Sequence, residues 1–160
     1  MQERIDIVRI KMVKDGSIPY GQRQITGPQQ LADLGLKLLK NADREMFVLI
    51  CLNVKNYVNC IHIISIGTLS ESIVSGREVL KTALLSNSAS VAFIHNHPSG
   101  IPEPSNADIE VTKKLAECAA VFDIRVLDHV IVADGAEYVS LSERGVLSET
   151  RSQLLKTLDR

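Results

Sequence analysis

Apolar and polar positions alternate along this chain in a way that assigns most of its elements. "IDIVRIKMV" is rich in β-branched residues and is followed by the turn signal "KDGS", which predicts a strand. A polar, irregular stretch from Ser17 to Gly27 leads into "PQQLADLGLKLLK". There Pro28 suits a first helical turn, and Leu31, Leu34, Leu38 and Leu39 form one stripe. "EMFVLICLN" is a continuous apolar run, as in a buried strand, and "VKNY" joins it to a second strand, "YVNCIHIISIG", as a hairpin. "REVLKTALLSN" reads as a helix, and "SVAFIHNH" as a strand stopped by Pro98. "SNADIEVTKKLAECAAVF" is a helix with Asp108, Thr112, Leu115, Ala119 and Phe122 along one side. "RVLDHVIVA" is a strand ending in the turn "DGAE", "EYVSLSERG" a further strand, and "SETRSQLLKTL" a terminal helix. Interleaved strands and helices give an α/β or α+β class with a central mixed sheet.

The chain has 160 residues, enough for one domain with a real core. A net charge of −1, with no long basic run, gives no support for a nucleic-acid binder. No apolar run is long enough to cross a bilayer, and the charged N-terminus lacks a signal-peptide core, so a cytoplasmic protein is expected. Cys51, Cys60 and Cys118 show no CxxC pairing and are expected to be reduced core residues.

The chemistry concentrates in "HNHPSG" and "PSNAD". Residues two apart on a strand share a face, so His95 and His97 point together. Zinc accepts nitrogen and oxygen ligands, and a catalytic zinc needs three protein ligands. Asp108, in the first turn of the following helix, is the candidate third, brought back by the proline-rich loop "PSGIPEP". Ser105 to Asp108 also matches a capping box, which by itself marks a helix start. Zincin, zinc-deaminase, EF-hand and phosphate-loop patterns are absent. His62, in an apolar strand, reads as structural; Asp128 and His129 are either strand packing or partners that orient a ligand.

The joint pattern, His95, one residue, His97, seven residues, Ser105, two residues, Asp108, resembles the motif of the JAB/MPN (JAMM) metalloproteases. "HNHPSG", "PSNADIEVTKKL", "GREVLKTAL", "DHVIVADG" and "YVSLSERG" resemble its RadC-like branch, over about Pro28 to Leu147. The resemblance implies a curved, mostly antiparallel sheet packed with helices, similar to the cytidine deaminase fold. It divides the chain into an N-terminal strand and irregular segment, 1–27, and an MPN domain, 28–160. It makes His95, His97 and Asp108 the Zn2+ ligands, Ser105 the oxyanion donor and Glu45 the general acid/base. The reaction implied is hydrolysis of a peptide or isopeptide bond, with zinc acidifying a water and Glu45 moving its proton. Longer RadC-like proteins carry an N-terminal helix-hairpin-helix region that the residues before the matching part do not resemble.

Two rivals stand beside this. One is a DNA-associated repair accessory or metal-dependent nuclease, for which Lys55, Arg77, Lys113 and Lys114 are the candidate contacts. The other is a non-catalytic MPN scaffold, which the intact motif disfavours. Apolar edge strands would allow a homodimer.

Overall fold

The structure is a computed structural model that describes residues 4–21, 23–67, 74–133 and 137–148. Its elements run α1 (Pro28–Leu39), β1 (Met46–Leu52), β2 (Val58–Ile66), α2 (Gly76–Leu85), β3 (Ser90–His97), α3 (Asn106–Ala120), β4 (Arg125–Ala133) and β5 (Tyr138–Ser140). The five strands form one sheet in the order β2-β1-β3-β4-β5. Only β3 and β4 are parallel. A parallel pair cannot be closed by a hairpin, and α3 supplies the crossover. The expected mixed, mostly antiparallel sheet is therefore present.

Alternation along the central strands sends side chains to two layers. Val48, Ile50 and Leu52 of β1 join Ala92, Ile94, Val130 and Val132 beneath α1, which contributes Leu31, Leu34 and Leu39. Phe47, Leu49 and Cys51 join Val91 and Phe93 beneath α2 and α3, which contribute Val79, Ala83, Val111, Leu115 and Ala119. Burial on both faces explains the unbroken apolar run in β1. The close approach of α1 needs Gly35: a Cβ there would lie 2.6 Å from Ile94 Cγ2.

Several expectations are corrected. The strand over residues 5–13 does not form: this stretch makes no ladder, and Ile5, Ile7, Val8, Ile10 and Val13 stand exposed. Its alternation favours a strand, but a strand needs a partner, and the first pairing in the described chain is the bridge Gln24↔Tyr57. Phe122 lies past the end of α3 and is half-exposed. All three cysteines are free thiols, but only Cys51 is buried, because β2, which carries Cys60, is an edge strand. His62 is exposed on that same edge rather than structural. The last predicted strand is limited to Tyr138–Ser140, since Gly145 at φ 81° and the Ser140 hydroxyl, which accepts from Glu143 N, turn the chain. Most of the "DGAE" turn and of the predicted terminal helix lies outside the described residues. Among the described residues no helix is long and apolar enough to cross a membrane.

Candidate metal centre

The C-terminal end of β3 and the N-terminal turn of α3 meet at the candidate site. His95 and His97 share the face of β3 that carries Phe93, as the two-residue period requires. His95 is fully buried, and the His97 side chain keeps 14% exposure. Asp108 arrives because α3 starts where it does. Ser105 is its N-cap, accepting from Asp108 N at 3.2 Å, while Ser105 N donates to Asp108 Oδ2 at 2.7 Å. That is the capping box expected from the sequence. Gly100, at φ 81°, lets the intervening loop turn, and its N donates to the His97 carbonyl.

The three ligand candidates converge. His95 Nε2 lies 2.8 Å from His97 Nε2 and 3.4 Å from Asp108 Oδ1, and His97 Nε2 lies 3.6 Å from Asp108 Oδ2. All three donor atoms fall within 4.8 Å of one another. Ligands bound to zinc at about 2.0–2.2 Å in a tetrahedron stand roughly 3.3–3.6 Å apart. The two histidine–carboxylate distances, which run to different oxygens of Asp108, fall in that range, and the His95–His97 separation must open by about half an ångström to fit. The chemistry of the donors agrees. His97 Nδ1 lies 2.9 Å from the Ile101 carbonyl, which can only accept, so the proton is on Nδ1 and the Nε2 lone pair faces the cluster.

Burial pushes His95 well below the ordinary imidazole range; Asp108 opposes the shift and His97 adds to it. Burial does the same to His129, reinforced by His95 and His97. Both are therefore neutral at pH 7, the form that can ligate or accept.

Ser105 and Glu45 stand differently. The Ser105 hydroxyl donates to Asp108 Oδ2 at 2.6 Å, so it reaches a substrate oxygen only by giving up that bond. Ser105 N would still hold Oδ2. Glu45 is outside the ligand group. It immediately precedes β1, and continuing the Phe47↔His95 register by two places sets position 45 opposite His97 on the same face. Its backbone is held on three sides. Met46 N donates to Asn96 Oδ1 at 2.8 Å, Asn96 Nδ2 donates to the Arg44 carbonyl at 3.1 Å, and Gly67 N donates to the Glu45 carbonyl at 2.7 Å.

Two residues here have no counterpart in the sequence reading of the motif. Asn96, between the two histidines, is one. The other is Thr112, whose hydroxyl lies 2.5 Å from His129 Nδ1. His129, expected either to pack in its strand or to orient a ligand, stands against one: its Nε2 lies 2.7 Å from His95 Nδ1, between the edge-on rings of Phe47 and Phe93. Strict alternation from Val126 would send His129 to the α1 layer. A bulge prevents this: two steps on β3, Val91 to Phe93, match three on β4, Val126 to His129. The extra residue turns His129 onto the face of His95. Asp128 serves a different end, accepting from His129 N, Ser142 N and the Ser140 hydroxyl, and so ties down the turn after β5. Thr112 carried a signal, being one turn after Asp108 on the predicted helix stripe. A cleft of about 90 Å³ lies beside His97, lined by Leu36, Leu39, Lys40, Asn96 and Val132.

Comparison with known proteins places the chain in a family. A family model described as the RadC-like JAB domain matches residues 25–146. A UPF0758 protein of Clostridium acetobutylicum is 44% identical over 124 residues, 78% of this chain and 54% of that protein. A UPF0758 protein of Shouchella clausii is 48% identical over 121 residues, 76% of this chain and 52% of its own length. One from Rubrobacter xylanophilus is 47% identical over 127 residues, 79% of this chain and 55% of its own. The chain spans about half the length of the curated relatives it matches.

Proposed function

Because the chain belongs to the RadC-like JAB domain family, we propose that it is a zinc-dependent hydrolase of peptide or isopeptide bonds, working in the cytoplasm. The observation that carries this reading is the convergence of His95, His97 and Asp108, two imidazoles and a carboxylate, with ligand atoms within 4.8 Å of one another, close enough to meet on one ion after a small opening of the two imidazoles. Those three side chains would hold the ion. When bound, it would supply Lewis acidity, lowering the pKa of a coordinated water toward ~7 and polarising a carbonyl. Glu45 would take a proton from water and return it to the leaving amine. Asn96 would steady Glu45 by gripping the backbone on both sides of it. Ser105 would swing its hydroxyl from Asp108 Oδ2 to the developing oxyanion. The cleft beside His97, lined by Leu36, Leu39 and Val132 together with the polar Lys40 and Asn96, would seat part of a peptide substrate.

The DNA-associated reading gains nothing comparable. Its four candidate cations are spread over three places: Arg77 on α2, Lys113 and Lys114 on α3, and Lys55 in the β1–β2 turn.

Elemental analysis of the purified chain, prepared without added metal, is the first test. About one zinc per chain is expected, lost in His97→Ala and kept in Glu45→Gln. A peptide-library cleavage assay should then show activity in the wild type and none in Glu45→Gln. A wild type that takes up no zinc even on reconstitution overturns the proposal.

A further inference from the structure

We propose that Thr112 and His129 are positioning residues that lock His95 in the tautomer whose Nε2 is bare toward the cluster. One buried series of contacts runs from Asp108 to His95, and each contact in it has room for a single hydrogen. It starts at the Asp108 backbone carbonyl, which lies 2.6 Å from the Thr112 hydroxyl. A carbonyl oxygen brings no hydrogen, so at that separation the single hydroxyl hydrogen of Thr112 must lie between the two oxygens. Thr112 then has only lone pairs to offer His129 Nδ1 at 2.5 Å, and the hydrogen in that contact belongs to His129. A neutral imidazole has one N–H, so His129 Nε2 is bare and accepts from His95 Nδ1 at 2.7 Å. His95 has thereby used its own N–H, and its Nε2 lone pair faces His97 and Asp108.

Every contact in the series receives one hydrogen under this assignment. The reverse assignment leaves two oxygens 2.6 Å apart with none between them. The carbonyl that decides the tautomer belongs to Asp108, itself a candidate ligand. One helical turn thus presents the Asp108 carboxylate to the cluster and, through Thr112 and His129, sets the opposite side of His95. The one contact left without a hydrogen is His95 Nε2 to His97 Nε2, 2.8 Å apart. The reverse assignment would fill that contact and empty the one at Thr112, so the choice between the two rests on the zinc reading, in which a cation lies between His95 and His97.

Thr112→Val keeps the side-chain shape and removes the hydroxyl. His129 then loses its acceptor at Nδ1 and is free to carry its proton on Nε2. That would drive the proton of His95 onto its own Nε2, against Asp108. Thr112→Ser keeps the hydroxyl and should restore the wild-type state. Two readouts separate the issues. The first is the ring 15N spectrum of His95 in the chelator-treated chain, which reports the tautomer without metal. We expect protonated Nδ1 and bare Nε2 in wild type and Thr112→Ser, and a shift toward protonated Nε2 in Thr112→Val. The second is zinc affinity by competition with a chromophoric chelator. It should fall about 10-fold or more in Thr112→Val and stay close to wild type in Thr112→Ser. Unchanged His95 ring signals in Thr112→Val overturn the proposal whatever the affinity does. A wild type that shows the expected ring signals, shifted in Thr112→Val, but binds no zinc sinks the hydrolase reading and leaves the positioning role standing.

Discussion

Asn96 offers a sharp test of how the loop before β1 is held. Its side chain is 7% exposed and makes two bonds whose direction is fixed by their partners. Met46 N can only donate and the Arg44 carbonyl can only accept, so Oδ1 faces Met46 and Nδ2 faces Arg44. Asn96→Ala orphans both backbone groups. A fully buried orphan costs about 1–3 kcal/mol. These are part-buried, so the lower end applies to each, and the variant should lose about 2 kcal/mol. For a domain of this size that corresponds to about 4–8 °C in Tm. Asn96→Asp adds a pH signature. Its carboxyl keeps the acceptor for Met46 N but sets a second acceptor against the Arg44 carbonyl, so burial and that carbonyl raise its folded pKa above the unfolded value of about 3.9. A raised carboxyl pKa destabilises least below the unfolded value, increasingly as pH rises through the folded value, and constantly above it. Urea unfolding at pH 4 and pH 7 should therefore show a larger loss for Asn96→Asp at pH 7. Hydrogen exchange at the Met46 amide should quicken in Asn96→Ala. If both variants unfold within about 0.5 kcal/mol of wild type at pH 7, Asn96 is an ordinary surface position and the clamp on Glu45 does not exist.

Two further outcomes are expected. His95 and His129 are both held neutral by burial, with folded pKa values below the ordinary 6.5. Such groups cost nothing above pH 6.5, and stability falls as pH drops from there toward their folded values, by up to about 1.4 kcal/mol per pH unit for each. Chelator-treated wild type should show this slope in urea titrations from pH 7 to 5, and a flat profile would contradict the buried neutral pair. Gly35→Ala sets a helix-propensity gain of about 1 kcal/mol against an overpacking cost of about 1–3 kcal/mol, because the new Cβ would lie 2.6 Å from the buried Ile94 Cγ2. Net destabilisation should appear in thermal melts, whereas a stabilised variant would mean that α1 rides freely over the sheet.

Much of this architecture is legible in the sequence because it depends on local period and local chemistry. The β1 run, the α1 leucine stripe, the β1–β2 turn and the capping box at Ser105 each follow from a few neighbouring residues, and so does the pairing of His95 with His97. What escapes depends on partners distant in the chain. The stretch 5–13 has the composition of a strand, but nothing in its sequence says that no strand lies beside it. His62 and Cys60 sit in an apolar segment, yet the place of β2 at the edge of the sheet exposes the first and half-exposes the second. His129 is hidden for another reason. Its layer is set by a bulge, and no residue in "LDHVIV" announces a bulge the way a glycine announces a left-handed turn.

That bulge bears on transplantation. Grafting His95, His97, Ser105 and Asp108 onto another strand and helix would copy the motif and its spacing. On an unbulged sheet, the residue matching His129 would sit in the wrong layer, and the grafted histidine would have no acceptor behind it. The portable unit is therefore larger than its signature: two parallel strands out of step by one residue, together with the helix that joins them. Lengthening or shortening β4 by one residue between Val126 and His129 would be an edit far from the signature that disarms it without touching any of its letters.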